Sequence, residues 1–324
     1  MRQQLFKAAL CAVLASSCLP ALADPSASQP LRLVIGFPPG GAIDTIARAI
    51  TPRMGQELGR SIVVENKPGA GGILAMQSVA RAAPDGRTLI MGTSGNFAIT
   101  PALMPDLSYD AAKDFTLVSQ VASASMVLLV HPSVPAKTVG ELITYARAHP
   151  GKLNFSSSGV GGLPHMAAEV FSAAAGIKMT HVAYKGSSPS ITDLVGGQVD
   201  LTFEAASIGL PYVKAGQLRA LAVTGGQRLA VLPDVPPVSD VLPGFNVDNA
   251  YGIAVPAGTD QAWVRKVQDA VVVAVQEPKT RALLESLGVE PVGSPSATFT
   301  KAMAGELTRW RALIKDNHIS ASGS

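Results

Sequence analysis

Cysteine is nearly absent from this sequence. The 324 residues include two cysteines, Cys11 and Cys18, and both lie within the first 23 residues. Residues 24–324 therefore have no thiol nucleophile, no cysteine-ligated metal and no disulfide among themselves. Such a chain has to be held by its hydrophobic core, which about 300 residues can supply.

Charged and aromatic side chains are also few, at 15% and 5%, whereas hydrophobic residues make up 47%. This composition is typical of a globular protein and excludes a disordered chain. The formal net charge is +3. Without residues 1–23, which carry Arg2 and Lys7, Lys+Arg falls from 26 to 24 against 23 Asp+Glu, leaving +1. Since no basic stripe remains, we expect no nucleic-acid partner.

The common enzyme motifs are missing. The sequence contains no G-x-S-x-G elbow, no G-x-x-x-x-G-K-[ST] loop and no G-x-G-x-x-G after its first strand. Its five histidines form no pair at metal-ligand spacing. We therefore expect no enzyme, no cofactor and no metal. A hydrolase built on Ser158 and His165 is the third-ranked alternative.

The N-terminus has the pattern of a signal peptide. Arg2 and Lys7 precede or flank the apolar run 8–14, and Ala21-Leu22-Ala23 supplies small residues for cleavage. We expect cleavage after Ala23 and export to the periplasm; a lipoprotein anchored at Cys18 is the less favoured alternative. No later stretch approaches the 18 apolar residues that a membrane span needs.

Residues Leu31–Leu58 carry the clearest local signal. An apolar strand, Leu31–Phe37, stops at Pro38-Pro39-Gly40-Gly41. A helix follows at once, with its apolar face at Ile43, Ile46, Ala47, Ile50, Met54 and Leu58 and its end at Gly59. The unpaired N–H groups of this helix start predict an anion site made mostly of main chain.

Further strands alternate with helices in two series, which predicts an α/β fold with mostly parallel sheets. The first series adds strands at 61–65 and 88–92, and the second has strands at 153–156, 180–183 and 199–203. Between them we expect two separate strands, Phe115–Val121 and Met126–Val130, at the first crossing. We expect strand 249–255 to form the second crossing, back to the first series. Ser294-Pro295 would cap the C-terminal helix.

Four strand ends are rich in Gly, Ser, Thr and Asn: 37–41, 93–96, 157–162 and 184–188. Ligands of open α/β sheets bind at the carboxyl ends of the strands, so these loops predict an anion-binding site. Each loop alone could be an ordinary turn. Asp44 could equally be a structural helix-start residue, His165 a core histidine, and Lys185 a solvated lysine. Glu204 could be solvated or could bind a hydrogen-bond donor of the ligand.

The chain resembles the Bug-type solute receptors of tripartite tricarboxylate transporters. The resemblance runs through nearly the whole chain after residue 23, in the stretches 36–48, 63–72, 84–92, 109–115, 159–169, 183–204, 215–223, 232–240 and 251–259. It implies a two-lobed type II periplasmic-binding fold with two crossover strands. The lobes would be 24–125 with 250–324, and 126–249.

The resemblance also implies a function. A monomeric receptor would capture a small carboxylate, such as a dicarboxylate, amino acid or aromatic acid, and deliver it to a membrane permease. The alternative is a ligand sensor that presents its closed form to a signalling partner such as a sensor kinase. The candidate ligand-binding residues are Phe37, Pro39, Gly40, Gly41, Asp44, Thr93, Ser94, Asn96, Ser157, Ser158, Gly159, Gly161, Gly162, His165, Tyr184, Lys185, Glu204 and Tyr251.

Some positions depart from the family pattern. Gly162 replaces a usual Ser or Thr, Glu204-Ala205 replaces a common Asp-Asn pair, and Ala183 replaces a frequent Pro. Tyr251 follows Ala250, in a stretch where the family commonly has a Trp. The shared carboxylate site keeps its main-chain donors with one side-chain donor fewer, so these departures concern mainly the other end of the ligand.

Overall fold

The structure is a computed structural model that describes residues 29–104, 106–317 and 319. The predicted signal peptide, 1–23, lies outside the described residues. The strands are β1 (Leu31–Ile35), β2 (Ile62–Asn66), β3 (Thr88–Thr93), β4 (Phe115–Val130), β5 (Asn154–Ser157), β6 (Thr180–Ala183), β7 (Leu201–Ala205), β8 (Arg219–Val223), β9 (Asp248–Pro256) and β10 (Glu290–Pro291). The α-helices are α1 (Ala42–Leu58), α2 (Ile73–Ala80), α3 (Thr100–Leu103), α4 (Val139–Ala148), α5 (Leu163–Ala175), α6 (Ser187–Val195), α7 (Ala206–Lys214), α8 (Gln261–Gln276), α9 (Pro278–Ser286) and α10 (Ser296–Asp316).

The first βα unit forms as the apolar pattern predicts. The six predicted apolar residues of α1 are buried. The helix ends at Gly59, whose φ of 66° is the left-handed conformation that favours glycine. Pro52 lies inside α1, which continues past it to Leu58. The predicted helix and its end are therefore confirmed.

Two sheets define the two lobes. In the first, β2, β1 and β3 are parallel, and β9 pairs antiparallel with β3. In the second, β6, β5 and β7 are parallel. Both have buried helices on their faces, as parallel strands require. Helices α1 and α8 cover one face of the first sheet, and α2 with the start of α10 covers the other.

Strand β4 joins the two sheets. It pairs with β9 from Phe115 to Ser125, and then with β7 and β8 from Met126 to Val130. The prediction of two separate strands is therefore wrong. Small and polar residues at 122–125 interrupt the apolar pattern, but their main chain still pairs with the start of β9.

The C-terminal helix α10 packs against both lobes. Phe299 and Met303 belong to the core of the first lobe, whereas Trp310 belongs to the cluster around Phe171 and Phe203 of the second. The predicted Ser294 cap is wrong, because α10 starts at Ser296 after Pro295 and lacks a side-chain cap within the described residues. The Ser294 hydroxyl instead accepts a hydrogen bond from the Gln120 N–H (3.0 Å) and fixes the end of β10 against β4.

Candidate ligand-binding cleft

A cleft lies between the lobes at the carboxyl ends of the parallel strands. Its empty space, including its mouth, is about 550 Å³. The residues that line it are Phe37, Pro38, Gly41, Ala42, Ile43, Thr93, Met126, Ser158, Gly162, Leu163, Pro164, Ser187, Glu204, Ala205, Asn249 and Tyr251.

Four helix starts meet at this cleft. Gly41, Gly162 and Ala205 precede the first residues of α1, α5 and α7, and Ser187 is the first residue of α6. None of the four starts is capped by a side chain from the described part of the chain. Their first-turn N–H groups and dipoles therefore favour an anion beside these helix starts.

Basic side chains do not line the cleft in the described part of the chain. Among the described residues that line the cleft, none is lysine, arginine or histidine. The hydroxyls of Thr93, Ser158 and Ser187 and the amide of Asn249 supply further polar groups. This arrangement suits an anion that binds through main-chain N–H groups and neutral side-chain donors.

Asp44 lies on the side of the Phe37–Gly41 turn away from the cleft and stabilises the turn by hydrogen bonds. Its side chain is 4% exposed and does not line the cleft. One oxygen accepts hydrogen bonds from Gly40 N (3.0 Å) and Arg48 Nε (2.9 Å), and the other from Asn66 Nδ2 (3.0 Å). Burial alone would raise the pKa of Asp44, but these hydrogen bonds hold the pKa below its usual value. Asp44 thus fixes the shape of the turn.

The loop after β3 is organised by Asn96 and Ser94. Asn96 Oδ1 accepts hydrogen bonds from the N–H and hydroxyl of Thr93, both at 3.2 Å, and its Nδ2 donates to Gly71 O (3.0 Å). The Ser94 hydroxyl donates to Asn249 Oδ1 (3.0 Å). The carbonyl of Asn249 is used in this way, and its side chain also hydrogen-bonds with the Tyr251 phenol. Thr93 and Asn249 line the cleft, and Ser94 and Asn96 lie behind them.

A histidine pair supports the loop of the second lobe. The rings of His165 and His181 stack at 4.1 Å, and His181 stacks on Phe155 at 4.8 Å. Gly161 N donates to His165 Nδ1 (3.2 Å), and His181 Nε2 lies 2.7 Å from the Ser157 hydroxyl. Burial, with His165 adding to the effect, lowers the pKa of His181 to about 3.

These contacts place most of the loop behind the cleft surface. Ser157, Gly159, Gly161 and His165 are not among the lining residues, whereas Ser158 and Gly162 are. The histidine pair therefore supports the loop from behind the cleft surface.

Glu204 lies at the end of β7 with a side chain 3% exposed. Its Oε1 accepts a hydrogen bond from Ala205 N (2.9 Å), whereas Oε2 has no hydrogen-bond partner among the described residues. Burial raises the pKa of Glu204 to about 7, against the opposing effects of the Ala205 N–H and the Ser187 hydroxyl. Tyr251 is buried nearby; burial and the charge of Glu204 raise its pKa, so its phenol stays neutral.

The structure brings only part of the predicted site together. The predicted residues that line the cleft are Phe37, Gly41, Thr93, Ser158, Gly162, Glu204 and Tyr251. Pro39, Gly40 and Lys185 are exposed outside it, and the Tyr184 hydroxyl donates to Asp193 (2.6 Å). The other lining residues, which were not among the candidate ligand-binding residues, are Pro38, Ala42, Ile43, Met126, Leu163, Pro164, Ser187, Ala205 and Asn249.

The family of the chain follows from a match to a family model. The model described as "Tripartite tricarboxylate transporter family receptor" matches residues 46–319. The chain belongs to this family. BugT of Bordetella pertussis is 29% identical over 299 residues, which are 92% of this chain and 92% of BugT. The predicted Bug-type receptor is thus confirmed, and the family consists of receptors and not of enzymes.

Solved structures agree on the fold of this receptor. An adipate-bound protein of R. palustris aligns with a TM-score of 0.87 and 32% identity, covering 90% of this chain and 98% of that one. MatC of Rhodopseudomonas palustris with bound malate aligns with a TM-score of 0.85 and 33% identity, covering 88% and 99%. The predicted two-lobed periplasmic-binding fold is confirmed.

Within residues 29–104, 106–317 and 319, no group of three His, Cys, Asp or Glu side chains is placed to hold a metal ion. No helix in the same ranges is both long and apolar enough to cross a membrane.

Proposed function

We propose that this receptor binds one small carboxylate in the interlobe cleft and delivers it to a membrane permease of the tripartite tricarboxylate type. The observation that carries the proposal is the meeting of four uncapped helix starts at a cleft whose described lining has no basic side chain. Such a site attracts an anion while leaving it easy to release, since no fixed counter-charge holds it.

The affinity expected from this arrangement suits a transport receptor. A helix start stabilises an anion by roughly 0.3–1 kcal/mol when exposed and up to ~2 kcal/mol when partly buried. Hydrogen bonds to a charged group add about 1.5–3 kcal/mol each. Three or four of them, less the cost of association, give a Kd of the order of micromolar.

The relatives support a carboxylate as the ligand. The aligned R. palustris structures hold adipate in one case and malate in the other, and both ligands are dicarboxylates. We infer that the carboxylate they share is the group bound by the starts of α1 and α5. Of the predicted site residues, we propose that the seven on the cleft lining contact the ligand.

Closure of the two lobes would trap the ligand. We propose the lobe boundaries predicted above, 24–125 with 250–324 and 126–249, and a monomer that acts in the periplasm after cleavage at Ala23. Strand β4, which changes partners after Ser125, would then be one of the two hinges.

A thermal-shift panel of mono- and dicarboxylates, amino acids and aromatic acids tests the binding step. A ligand at 100-fold excess over its Kd stabilises the protein by roughly 2.7 kcal/mol. This should raise the melting temperature by several degrees, at about 2–4 °C per kcal/mol for a chain of this size. A broad panel without any stabilising carboxylate would overturn the proposal.

Uptake of the tightest carboxylate by cells with and without the receptor tests the delivery step. Loss of uptake in the deletion strain, restored by the receptor, is expected. Unchanged uptake together with intact binding would contradict delivery to a permease.

A further inference from the structure

Glu204 is a buried acid on the lining of the candidate ligand cleft. Its Oε2 has no partner of normal hydrogen-bond geometry among the described residues, although the Ser187 hydroxyl lies near enough to lower the pKa of Glu204, and the residue lines the cleft with Tyr251. A buried carboxyl oxygen without a partner costs free energy that a well-packed protein normally avoids. A ligand that donates a hydrogen bond to Oε2 would remove this cost.

The surroundings of Glu204 decide what kind of donor fits. A cation is the best partner for a buried carboxylate, and the described cleft lining supplies none of its own. A second ligand carboxylate beside Glu204 would place like charges together in a poorly solvated site. A ligand ammonium would instead neutralise Glu204 and fill the vacant hydrogen bond.

We propose that the preferred ligand of this receptor is an aminocarboxylate, whose ammonium donates to Glu204 Oε2 while its carboxylate lies at the helix starts of α1 and α5. This inference rests on the proposed function, because it assumes that a carboxylate occupies the cleft. It assigns Glu204 the role of selecting a zwitterionic ligand over a plain acid of the same length.

Few other groups can disturb the charge of Glu204. From β9 it is neighboured on the lining by Tyr251, which stays neutral, and by the amide of Asn249; Val127 of β4 pairs with it; and Ser187 of α6 contributes a hydroxyl. Because burial raises the pKa of Glu204 to about 7, the unliganded protein holds a proton there below that pH. An ammonium would expel this proton on binding, so affinity should increase as pH rises through 7.

Isothermal titration calorimetry in two buffers of different ionisation enthalpy measures both the affinity and the proton balance. The probes are a four-carbon set (butanoate, 2-aminobutanoate, 4-aminobutanoate and succinate) and a six-carbon set (hexanoate, 6-aminohexanoate and adipate). We expect one amino form to bind at least about tenfold more tightly than the plain acid of its length. At pH 7 it should release roughly half a proton.

Two substitutions connect the effect to Glu204. Glu204→Gln should remove both the amino preference and the proton release. Glu204→Asp, which keeps the charge on a shorter side chain, should retain part of the preference. Glu285→Gln, on the exposed face of α9, is the matched control and should change neither.

The outcomes separate the inference from the proposed function. Tighter binding of succinate or adipate with proton uptake would overturn the inference, since a protonated Glu204 would then be donating to a second carboxylate. Equal affinity for amino and plain acids would also overturn it. In both cases carboxylate binding would stand, whereas a protein that binds no probe of either set would contradict the proposed function itself.

Discussion

Gly186 of the second lobe lies so close to Pro38 of the first that a Cβ atom on Gly186 would be 2.5 Å from Pro38 Cδ. A similar contact brings Gly159 within reach of Gly71, where an added Cβ would lie 2.9 Å from the Gly71 Cα. The Ser188 hydroxyl also donates to Pro39 O across this boundary (3.4 Å). The two lobes are therefore in contact at these glycines. Because they are in contact, the cleft is closed in this structure.

The substitution Gly186→Ala should impair closure. Its Cβ would overlap Pro38, and separation of the lobes relieves that overlap at little cost to either core. We expect the Kd for the best carboxylate to rise about tenfold or more, since trapping contributes binding free energy. Calorimetry with the purified variant measures this change.

Gly69→Ala is the matched control for this closure experiment. Gly69 has φ 149° and Gly186 has φ 147°, so an alanine at either position meets a similar unfavourable φ. The new Cβ would lie 2.6 Å from Leu74 Cδ1, an exposed side chain of the same lobe. Equal losses of affinity in the two variants would show that strain, and not closure, is responsible.

The substitution Asp44→Asn should loosen the Phe37–Gly41 turn. It removes the charge that receives hydrogen bonds from Arg48, Gly40 N and Asn66. We expect a loss of about 1–3 kcal/mol in the free energy of unfolding and weaker ligand binding. Denaturant unfolding monitored by circular dichroism measures the loss; Asp85→Asn, on a more exposed turn, should cost less.

The sign of the pH effect at Asp44 follows from its lowered pKa. Its contribution to stability is present above the pKa of the unfolded chain, about 3.9, and is lost as pH falls through the lower folded value. Above pH 5 the difference in stability between the parent protein and Asp44→Asn should therefore be constant. A difference that disappears between pH 7 and 5 would contradict this assignment.

His181 should make the protein less stable in mild acid. Its folded pKa, about 3, lies far below the unfolded value of 6.5, so the unfolded chain binds the extra proton. Stability is then greatest above pH 6.5 and decreases toward pH 3, by up to ~1.4 kcal/mol per pH unit from this group. In His181→Phe, which keeps the stacked ring, unfolding between pH 6 and 4 should show a shallower slope.

His149→Phe serves as the control for this pH experiment, because it removes an exposed histidine instead. A slope that falls as much in His149→Phe as in His181→Phe would contradict the role given to the buried ring.

Local patterns predict the first half of the cleft well. The run Leu31–Leu58 contains its strand, turn and helix start in consecutive residues. None of these three features depends on long-range contacts to be predicted. The same holds for Gly162 and the start of α5. These segments supply main-chain donors, and their position at strand ends follows from the βα order alone.

The remaining lining residues depend on pairing between distant strands. Met126 lies where β4 leaves β9 for β7, and Asn249 lies near the start of β9, held by Ser94. Neither has a local motif. Within the predicted loop 184–188, Ser187 lines the cleft as the first residue of α6, whereas the charged Lys185 is exposed outside it, so the helix start and not the charge marks the site. Ser294 also depends on a distant residue. Its sequence context predicts a helix cap, but its hydroxyl accepts a hydrogen bond from the N–H of Gln120.

The central claim is that uncapped helix starts, without a basic side chain on the described lining, bind a ligand carboxylate. The Kd of the tightest carboxylate should therefore be compared with that of its primary amide, which has nearly the same shape and no charge. We predict that the carboxylate binds at least about a hundredfold more tightly, since three or more charged hydrogen bonds become neutral ones. Amide and carboxylate affinities that agree within about threefold would contradict the claim, because the preference would be worth under about 1 kcal/mol.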